Sequence, residues 1–325
     1  MKHTFFVAAF GSLMATGLNT FAQFAPPVGQ TGTTAMYKDS SAFVGWATNC
    51  KVIRGLQDIS APGSGYANVG DSTSALSIAG TTGIVSLGDG GQAILQFAAP
   101  IIDLPGFDLA VFENSFDNTF LELAFVEASS DGINFFRFPA VSNTDTSAQT
   151  GSFGSTDATL INNLAGKYKG LYGTPFDLSD IPNHVLLNKQ AITHIKISDV
   201  VGCIQNQYCS RDANHHKVND PWPTAFGSSG FDLDAVGVIH QQNVGLEEGA
   251  LDRMAIYPNP AIDVLSINLS ANYSVIVTNL MGQILLTSDN NVNTSSIFTH
   301  EFNPGVYMLT VKSNGVQKQL KFVKQ

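Results

Sequence analysis

Short runs of alternating apolar and polar residues recur along the middle of the chain, separated by Gly, Pro, Asn and Asp. This period of two predicts β-strands, because successive side chains of a strand point to opposite faces. Helical periodicity is weak, and Leu160–Tyr168 and Leu178–Leu187 allow a turn or two each. Strands without βαβ alternation predict an all-β fold, a jelly roll or a β-sandwich. The predicted strands are Gln92–Phe97, Phe107–Glu113, Phe120–Ala128, Phe135–Val141, Ile192–Val201 and Phe231–His240.

The amino-terminal end has a different pattern. Lys2 and His3 precede an apolar run from Phe5 to Leu18, and Thr20-Phe21-Ala22 supplies small residues at a cleavage position. This pattern predicts a secretory signal peptide cleaved after Ala22. The alternative, a membrane anchor, is disfavoured because the run is too short and is interrupted by Gly and Ser.

The carboxy-terminal end again alternates, in short strands between Asn, Asp and Gly turns, which predicts a small Ig-like β-sandwich. Outside the predicted signal peptide, the sequence contains no stretch that is long and apolar enough to span a bilayer. We therefore expect a mature chain without a transmembrane anchor. The predicted segments are a signal peptide (1–22), a β-sandwich cargo domain (23–241), a linker (242–253) and a C-terminal domain (254–325).

Composition and charge narrow the classes of partner. The 325-residue chain is 13% charged and carries a net charge of −10. Acidic residues outnumber basic ones 23 to 11 between Gln23 and Arg253, so the acidity belongs to the cargo domain. Such a balance argues against nucleic acid, whose phosphates would be repelled, and is compatible with cation binding or with solubility alone. About 230 residues are enough for one large core.

The C-terminal segment carries a series of short motifs in a fixed order. It opens with Tyr257-Pro258-Asn259-Pro260, turns at Met281-Gly282-Gln283, continues through Gly305 and Tyr307, and ends with Lys321 in the last strand. In this order the segment resembles the type A C-terminal sorting domain of the Bacteroidetes type IX secretion system. The resemblance implies export through the periplasm to the outer-membrane surface or the medium, with the secretion machinery as partner. We expect the sorting domain to be removed within the linker.

The cargo domain has a second resemblance. Ser129-Ser130-Asp131-Gly132 lies between two predicted strands and reads as a hairpin turn. The hairpin resembles that of discoidin-like, galactose-binding-type β-sandwiches. Leu87–Gly91, Ala110–Asn114 and Gly230–Val236 resemble segments of uncharacterised Bacteroidetes surface proteins. The resemblance implies a jelly-roll sandwich and carries over no settled activity.

Carboxylates at strand ends are the candidate metal ligands. Asp232 and Asp234 share one face of a strand, and Glu113, Asn114 and Asp199 lie at the ends of others. The resemblance to galactose-binding-type sandwiches implies a structural calcium ion there, since calcium prefers oxygen ligands. The alternative is that the alternating acids face solvent on an outer sheet face.

A long polar loop, Cys203 to Gly230, is the candidate ligand site. Aromatic faces that stack on sugars, flanked by hydrogen-bonding side chains, are what glycan recognition requires. Alternatively, a Trp between two prolines plugs one end of the sandwich. The candidate ligand-binding residues are Tyr208, Arg211, His215, Asp220 and Trp222.

Cysteine usage predicts a local disulfide. Cys203 and Cys209 flank a five-residue loop in a protein bound for an oxidising compartment. Cys50 is then left as a buried thiol. A metal site that includes His215 and His216 is the competing interpretation, although the paired spacing of structural zinc sites is absent.

Catalytic motifs such as G-x-S-x-G, H-E-x-x-H and the P-loop are absent from the sequence. Two carboxylates suffice for glycoside hydrolysis, so Glu113, Glu122 and Glu127 keep a hydrolase open. The favoured hypothesis is a secreted, non-enzymatic binding or adhesion protein that recognises glycans. The alternatives are a glycan-active hydrolase and a purely structural surface protein.

Overall fold

The computed structural model describes residues 24–242, 251, 254–313 and 316–325. The chain divides into two compact units, Met1–Gln242 and Asn243–Gln325. The predicted signal peptide lies outside the described residues. The predicted linker also lies outside them, except for Gln242 and Leu251. Among the helices of the described part, none has the length and apolarity needed to cross a bilayer.

The described part of the first unit, residues 24–242, contains twelve short strands and three single-turn 3₁₀ helices. The helices are Pro62–Ser64, Ala158–Leu160 and Leu178–Asp180. The strands are β1 (Met36–Tyr37), β2 (Gly45–Ile53), β3 (Val85–Ser86), β4 (Gln92–Ile101), β5 (Leu109–Glu113), β6 (Ala124–Ser129), β7 (Phe136–Arg137), β8 (Val141–Ser142), β9 (Ile161–Asn162), β10 (Tyr172–Phe176), β11 (Ile192–Asp199) and β12 (Asp232–Val238).

Ten of these strands form one antiparallel sheet in the order β1-β10-β5-β12-β2-β4-β11-β6-β7, with β3 added beside β12. The sheet curls at β2, because that strand changes partner along its length. Gly45 and Trp46 pair with β12, whereas Ala47 to Ile53 pair with β4 across a register shift. A bulge of this kind bends a strand and lets it pass from one layer to the next. The result is a sandwich-like arrangement of two half-sheets.

The main core lies between the two half-sheets. Leu109 of β5 and Val236 of β12 come from one half, and Leu95 of β4, Val126 of β6 and Ile195 of β11 from the other. All five side chains are buried. Their spacing follows the period of two that the sequence showed, because inward-facing positions alternate along each strand.

The all-β prediction is confirmed, and each predicted strand corresponds to an observed one, with shorter bounds in most cases. The predicted hairpin is also present. Asp131 accepts hydrogen bonds from the amides of Ile133 and Asn134, both at 2.8 Å, and Gly132 adopts a φ of 73°. Glycine is favoured there because a Cβ strains a left-handed backbone.

The second unit is a five-stranded antiparallel sheet in the order β13-β14-β16-β17, with β15 paired to β14. Its core includes Leu265, Ile267, Leu309, Val311 and Phe322, which are all buried. The unit therefore has a hydrophobic core of its own. Its strands are β13 (Ala255–Tyr257), β14 (Val264–Asn279), β15 (Ile284–Phe298), β16 (Gly305–Ser313) and β17 (Val316–Lys324).

Candidate functional site

Trp222, the candidate stacking residue, is buried with 6% of its surface exposed. Its indole Nε1 donates a hydrogen bond to the Asp89 carboxylate at 3.0 Å, and its ring packs with Val201 and Cys203. A buried ring offers no face to a sugar, so the burial of Trp222 favours the interpretation of a Trp that plugs the end of the sandwich. A ligand-binding role of Trp222 stays a prediction.

The other residues of the predicted ligand site fall into a buried set and an exposed set. Asp220 is buried and accepts a hydrogen bond from the Leu123 amide at 2.9 Å. Tyr208 is half-buried against the cluster that contains Trp222. Arg211 and His215 are exposed, and the Arg211 guanidinium donates to the His215 carbonyl at 2.9 Å. The loop is therefore held by its own contacts, and the ligand-binding role of these residues stays a prediction.

All three cysteines are free thiols, which differs from the predicted disulfide between Cys203 and Cys209. The buried Cys203 sulfur accepts a hydrogen bond from the Gln205 amide at 3.4 Å. The Cys209 thiol donates to the Asn206 carbonyl at 3.8 Å. Each thiol thus has a partner within its own turn. Cys50 is a buried thiol as predicted, and burial raises its pKa to about 11.

The predicted metal ligands lie in a network of buried carboxylates at the ends of the central strands, which we call the carboxylate network. Asp232 and Asp234 are buried although they alternate along β12, because loops cover the second face of this strand. Asp234 accepts the Gly80 amide with both oxygens at 2.9 Å. The alternative of a solvent-facing strand is therefore wrong. The network consists of Glu113, Glu122, Asp199, Asp220, Asp232 and Asp234.

Protein groups satisfy most of these oxygens. Asp199 accepts hydrogen bonds from the amides of Gly90 and Phe231, at 2.9 and 2.7 Å. Glu113 is the exception: its Oε2 accepts the Ser115 amide at 2.8 Å, whereas its Oε1 has no partner among the described residues. A buried carboxylate oxygen without a partner is costly. It marks the point in the network where a proton or a cation would be stabilising.

Burial and mutual repulsion raise the pKa values of the network. Desolvation, followed by the charge of Asp232, holds the pKa of Glu113 well above its usual range. Desolvation and the charge of Glu113 do the same for the pKa of Glu122. Burial raises the pKa of Asp232 to about 6, against opposing hydrogen bonds from Ser86 and Asn114 and the positive charge of Arg54. The network therefore resists full ionisation at neutral pH.

The predicted calcium ligands do not form a tight coordination group. Across the described residues, the acidic group whose ligand atoms all lie within 4.8 Å of one another is Asp103, Asp108 and Asp177. Asp108 already accepts the Leu178 amide at 2.8 Å and the His240 ring at 2.7 Å. That group is therefore explained as a hydrogen-bonded junction. Asp199 and Asp234 fit a cation poorly, because backbone amides occupy their oxygens.

A second surface region combines two further loops with the Phe226 end of the Cys203–Gly230 loop. Four phenylalanine rings form a continuous row there, and a groove of about 840 Å³, which we call the polar groove, is lined by residues of the two further loops and of segment 24–31. The signal in the sequence was phenylalanine within polar turn segments, as in Ser115-Phe116-Asp117 and Ser152-Phe153-Gly154. Apolar periodicity did not detect it, because these residues belong to no strand.

In the second unit, the predicted sorting residues lie close to one another. Asn259 donates from its side-chain amide to the Lys321 carbonyl at 3.2 Å and accepts from the Val323 amide at 3.0 Å. The Tyr307 ring stacks on Phe322 with ring centroids 5.5 Å apart. The opening motif is therefore fixed to the last strand. Tyr257 ends β13, Pro258 and Pro260 lie in the turn after it, and Gly305 opens β16.

Comparison with known families assigns the second unit. Residues 255–325 match the family of secretion system C-terminal sorting domains. The chain is thus a cargo that a type IX secretion system exports to the cell surface or the medium. No curated protein matches the chain.

Solved structures give distant likenesses. PorZ, a surface component of the type IX secretion system of Porphyromonas gingivalis, is 22% identical over 28% of this chain, with a TM-score of 0.23. A β-glucuronidase from Ruminococcus gnavus is 9% identical over 85%, with a TM-score of 0.20. The BSP domain of a biofilm-associated protein is 10% identical over 88%, with a TM-score of 0.22. This chain covers 14%, 45% and 52% of their respective lengths.

Proposed function

We propose that this protein is a secreted or surface-attached, non-enzymatic binding or adhesion protein whose first unit recognises a glycan or another surface polymer. The observation that carries the proposal is the match of residues 255–325 to a secretion sorting domain. It places the first unit outside the cell, where polysaccharides are abundant potential ligands. The first unit also carries loops with exposed aromatic rings on a rigid β scaffold, as binding proteins commonly do.

The paired-carboxylate hydrolase has less support from the geometry. Glu113 and Glu122 are buried, and burial favours their protonated forms. Glu127 is also buried, and its carboxylate pairs with Lys196 at 2.7 Å and with Arg137 at 3.7 Å. A glycosidase needs two carboxyl groups that flank a substrate in an accessible cleft. Two grooves of the first unit, the polar groove of about 840 Å³ and a smaller one of about 290 Å³ lined in part by Gln149 and Asn219, have no glutamate in their described lining.

The experiment that tests the exported location is deletion of residues 254–325. We expect the truncated chain to remain in the periplasm in a protease-resistant form, because the address is lost while the first unit keeps its core. Immunoblots of cell fractions and medium measure the distribution. A matched control is the full chain with Val185→Ala, at a residue of the first unit that is 97% exposed and outside the sorting segment. Delivery of the truncated chain to the surface would contradict the sorting assignment.

A structural calcium ion is a further part of the proposal, carried by the unpartnered Oε1 of Glu113. We expect Asp232 and Asn114 to supply further oxygen ligands. The charge of Asp232 acts on Glu113, and Asn114 follows Glu113 in the chain and hydrogen-bonds Asp232. The ion would neutralise part of a buried negative charge that has few basic neighbours.

Thermal unfolding in millimolar calcium and in chelator tests the calcium ion. At neutral pH, calcium should raise the Tm of the wild-type chain by several degrees, and by much less in Glu113→Gln, because the ion needs an ionised carboxylate. At about pH 4, where these acids are protonated, calcium should have no effect. Equal Tm values in calcium and chelator at neutral pH would exclude the site. Asp39→Asn, an exposed acid, serves as the matched control.

A further inference from the structure

Four phenylalanines on three separate loops form what we call the phenylalanine row: Phe116, Phe120, Phe153 and Phe226. Successive ring centroids are 5.7, 6.2 and 6.0 Å apart, and the last two pairs of rings are nearly parallel, at 28° and 8°. Phe116 is 82% exposed and Phe153 is 77% exposed. Single exposed apolar residues are ordinary, whereas a contiguous aromatic surface indicates a binding role.

Hydrogen-bonded turns hold the row in place before any ligand arrives. Asp117 accepts the amides of Thr119 and Phe120 at 2.7 and 2.9 Å, which fixes the first loop. In the second loop, the Ser152 hydroxyl donates to the Pro223 carbonyl at 2.6 Å, so this loop is attached to the third. A preorganised surface loses little conformational entropy when it binds.

Two of the three loops that carry the row also line the polar groove. Asn118 and Thr119 lie between Phe116 and Phe120 in the first loop, and Ser155 follows Phe153 in the second. The Thr156 amide donates to the Thr119 carbonyl at 2.7 Å, which joins the two walls. Asp157 is the one acid in the described lining, beside the apolar Phe24, Pro26, Pro27 and Ala158. The remaining lining residues are polar and uncharged: Gln30, Thr31, Asn118, Thr119, Ser155, Thr156 and Thr159.

Two side-chain oxygens in this lining have no hydrogen-bond partner within the described part of the chain. They are Oδ1 of Asn118 and Oγ1 of Thr156, and Thr156 is 4% exposed. The Asn118 amide nitrogen donates to the Val28 carbonyl at 3.2 Å, which leaves its oxygen as an acceptor. Both atoms are buried although their residues line the groove, so they are costly in the free protein, and a hydroxyl group of a ligand satisfies them once the side chains turn toward it.

We propose that the phenylalanine row and the polar groove bind a chain of neutral sugars. This inference rests on the proposed function and names its site. Aromatic faces pack against the C–H surfaces of pyranose rings, and the groove supplies acceptors and donors for hydroxyl groups. An anionic polymer would meet Asp117 and Asp157, which disfavours it. A purely apolar partner would leave the groove oxygens unsatisfied.

Affinity electrophoresis of the full chain in gels that contain xyloglucan, laminarin, hydroxyethylcellulose or alginate tests the proposal. We expect retardation by at least one of the three neutral polymers and no stronger retardation by alginate, which is anionic. The double variant Phe116→Ala/Phe153→Ala should raise the Kd at least tenfold, about 1.4 kcal/mol. The control double variant Ile133→Ala/Val185→Ala removes two side chains of similar exposure, 82% and 97%, outside the row, and should bind as the wild type does.

Thr156→Val provides a second test that is independent of the rings. Removing an unpartnered hydroxyl should leave the Tm unchanged or raise it, whereas binding should weaken severalfold because the ligand loses its hydrogen bond. A merely structural role of Thr156 would instead lower the Tm and leave the Kd unchanged.

The outcomes separate the two proposals. Binding of a neutral polymer with unchanged affinity in the phenylalanine variant would overturn the row as the site and leave the proposed function standing. No retardation of the wild-type chain by any polymer would overturn both. Stronger retardation by alginate, or a variant that changes only the oligomeric state in light scattering, would also overturn the neutral-sugar site.

Discussion

At the scale of single residues, burial decides what the acidic side chains of this protein can do. Asp232 and Asp39 have the same chemistry, yet Asp232 is buried beside Glu113 and Asp39 is exposed beside Lys38. The sequence identified Asp232 as a notable acid from its spacing to Asp234. Whether these carboxylates faced water depended on the loop around Gly80, which donates to Asp234 from far away in the chain.

The raised pKa of Asp232 predicts a specific pH dependence. Its folded pKa of about 6 lies above the ordinary value of 3.8, so its contribution to stability is complete below about pH 4 and is lost as the pH rises through 6. By linkage, the loss from this group is up to about 3 kcal/mol. We expect Asp232→Asn to flatten the fall in the free energy of unfolding between about pH 4 and neutral pH. Urea titrations at several pH values measure it.

Other acids in the chain change the free energy of unfolding with pH in the opposite direction. The effect of Asp232 therefore has to be measured as the difference between the wild type and Asp232→Asn at each pH. Hydrogen bonds hold the pKa values of Asp117 and Asp131 below their usual range. The contributions of these two groups to the stability of the fold are therefore lost as the pH falls. The wild-type chain, measured at the same pH values, supplies the reference curve. A curve for Asp232→Asn that runs parallel to the wild-type curve would show that folding does not shift the pKa of Asp232.

At the scale of elements, β2 and β12 determine the architecture. β12 is buried along its whole length, and β2 joins the two half-sheets by changing partner. The sequence predicted β12 from Phe231–His240, since its apolar residues are frequent. It did not predict β2, because Thr48, Asn49 and Lys51 interrupt the apolar pattern of a strand that is exposed at several positions.

The loop around Cys203 makes a separate prediction. Because Cys50, Cys203 and Cys209 are all free thiols, the chain unfolded without reductant should titrate three thiols with a disulfide-exchange reagent, and reductant should not change its Tm. Cys209→Ser should titrate two. A wild-type count of one would show instead that Cys203 and Cys209 are joined in the purified protein, as the spacing in the sequence predicts.

At the scale of the whole molecule, the chain contains two units, each with a hydrophobic core of its own. The deletion of residues 254–325 therefore has a second expected outcome. The truncated chain should keep the cooperative unfolding of the first unit, with a Tm within about 2 °C of the corresponding transition in the full chain, because its core is intact. Calorimetry measures this transition.

Truncation variants would thus separate the address from the function. A truncated chain that folds and binds the same polymer as the full chain would locate binding in the first unit. A truncated chain that unfolds would mean that the first unit depends on residues 254–325 for its stability.

The sequence by itself determined the all-β class, most of the strands, the hairpin at Asp131-Gly132 and the sorting segment. All of these depend on local patterns: a period of two, turn residues at fixed offsets, and short motifs in order. Asn259, Tyr307 and Lys321 could be identified for the same reason, since the motifs are local in the chain even though the contacts are made across strands.

Only the tertiary structure decided which side chains are accessible. Trp222 was a candidate ligand residue in the sequence and is buried in the fold, whereas Phe116 and Phe153 had no role in the sequence-based prediction and form a surface row with Phe120 and Phe226. Exposure depends on which distant loops cover a residue, and a row assembled from three loops has no signature in any one of them. The physical reason is that periodicity encodes the direction of a side chain along its own strand, while burial is set by segments far away in the sequence.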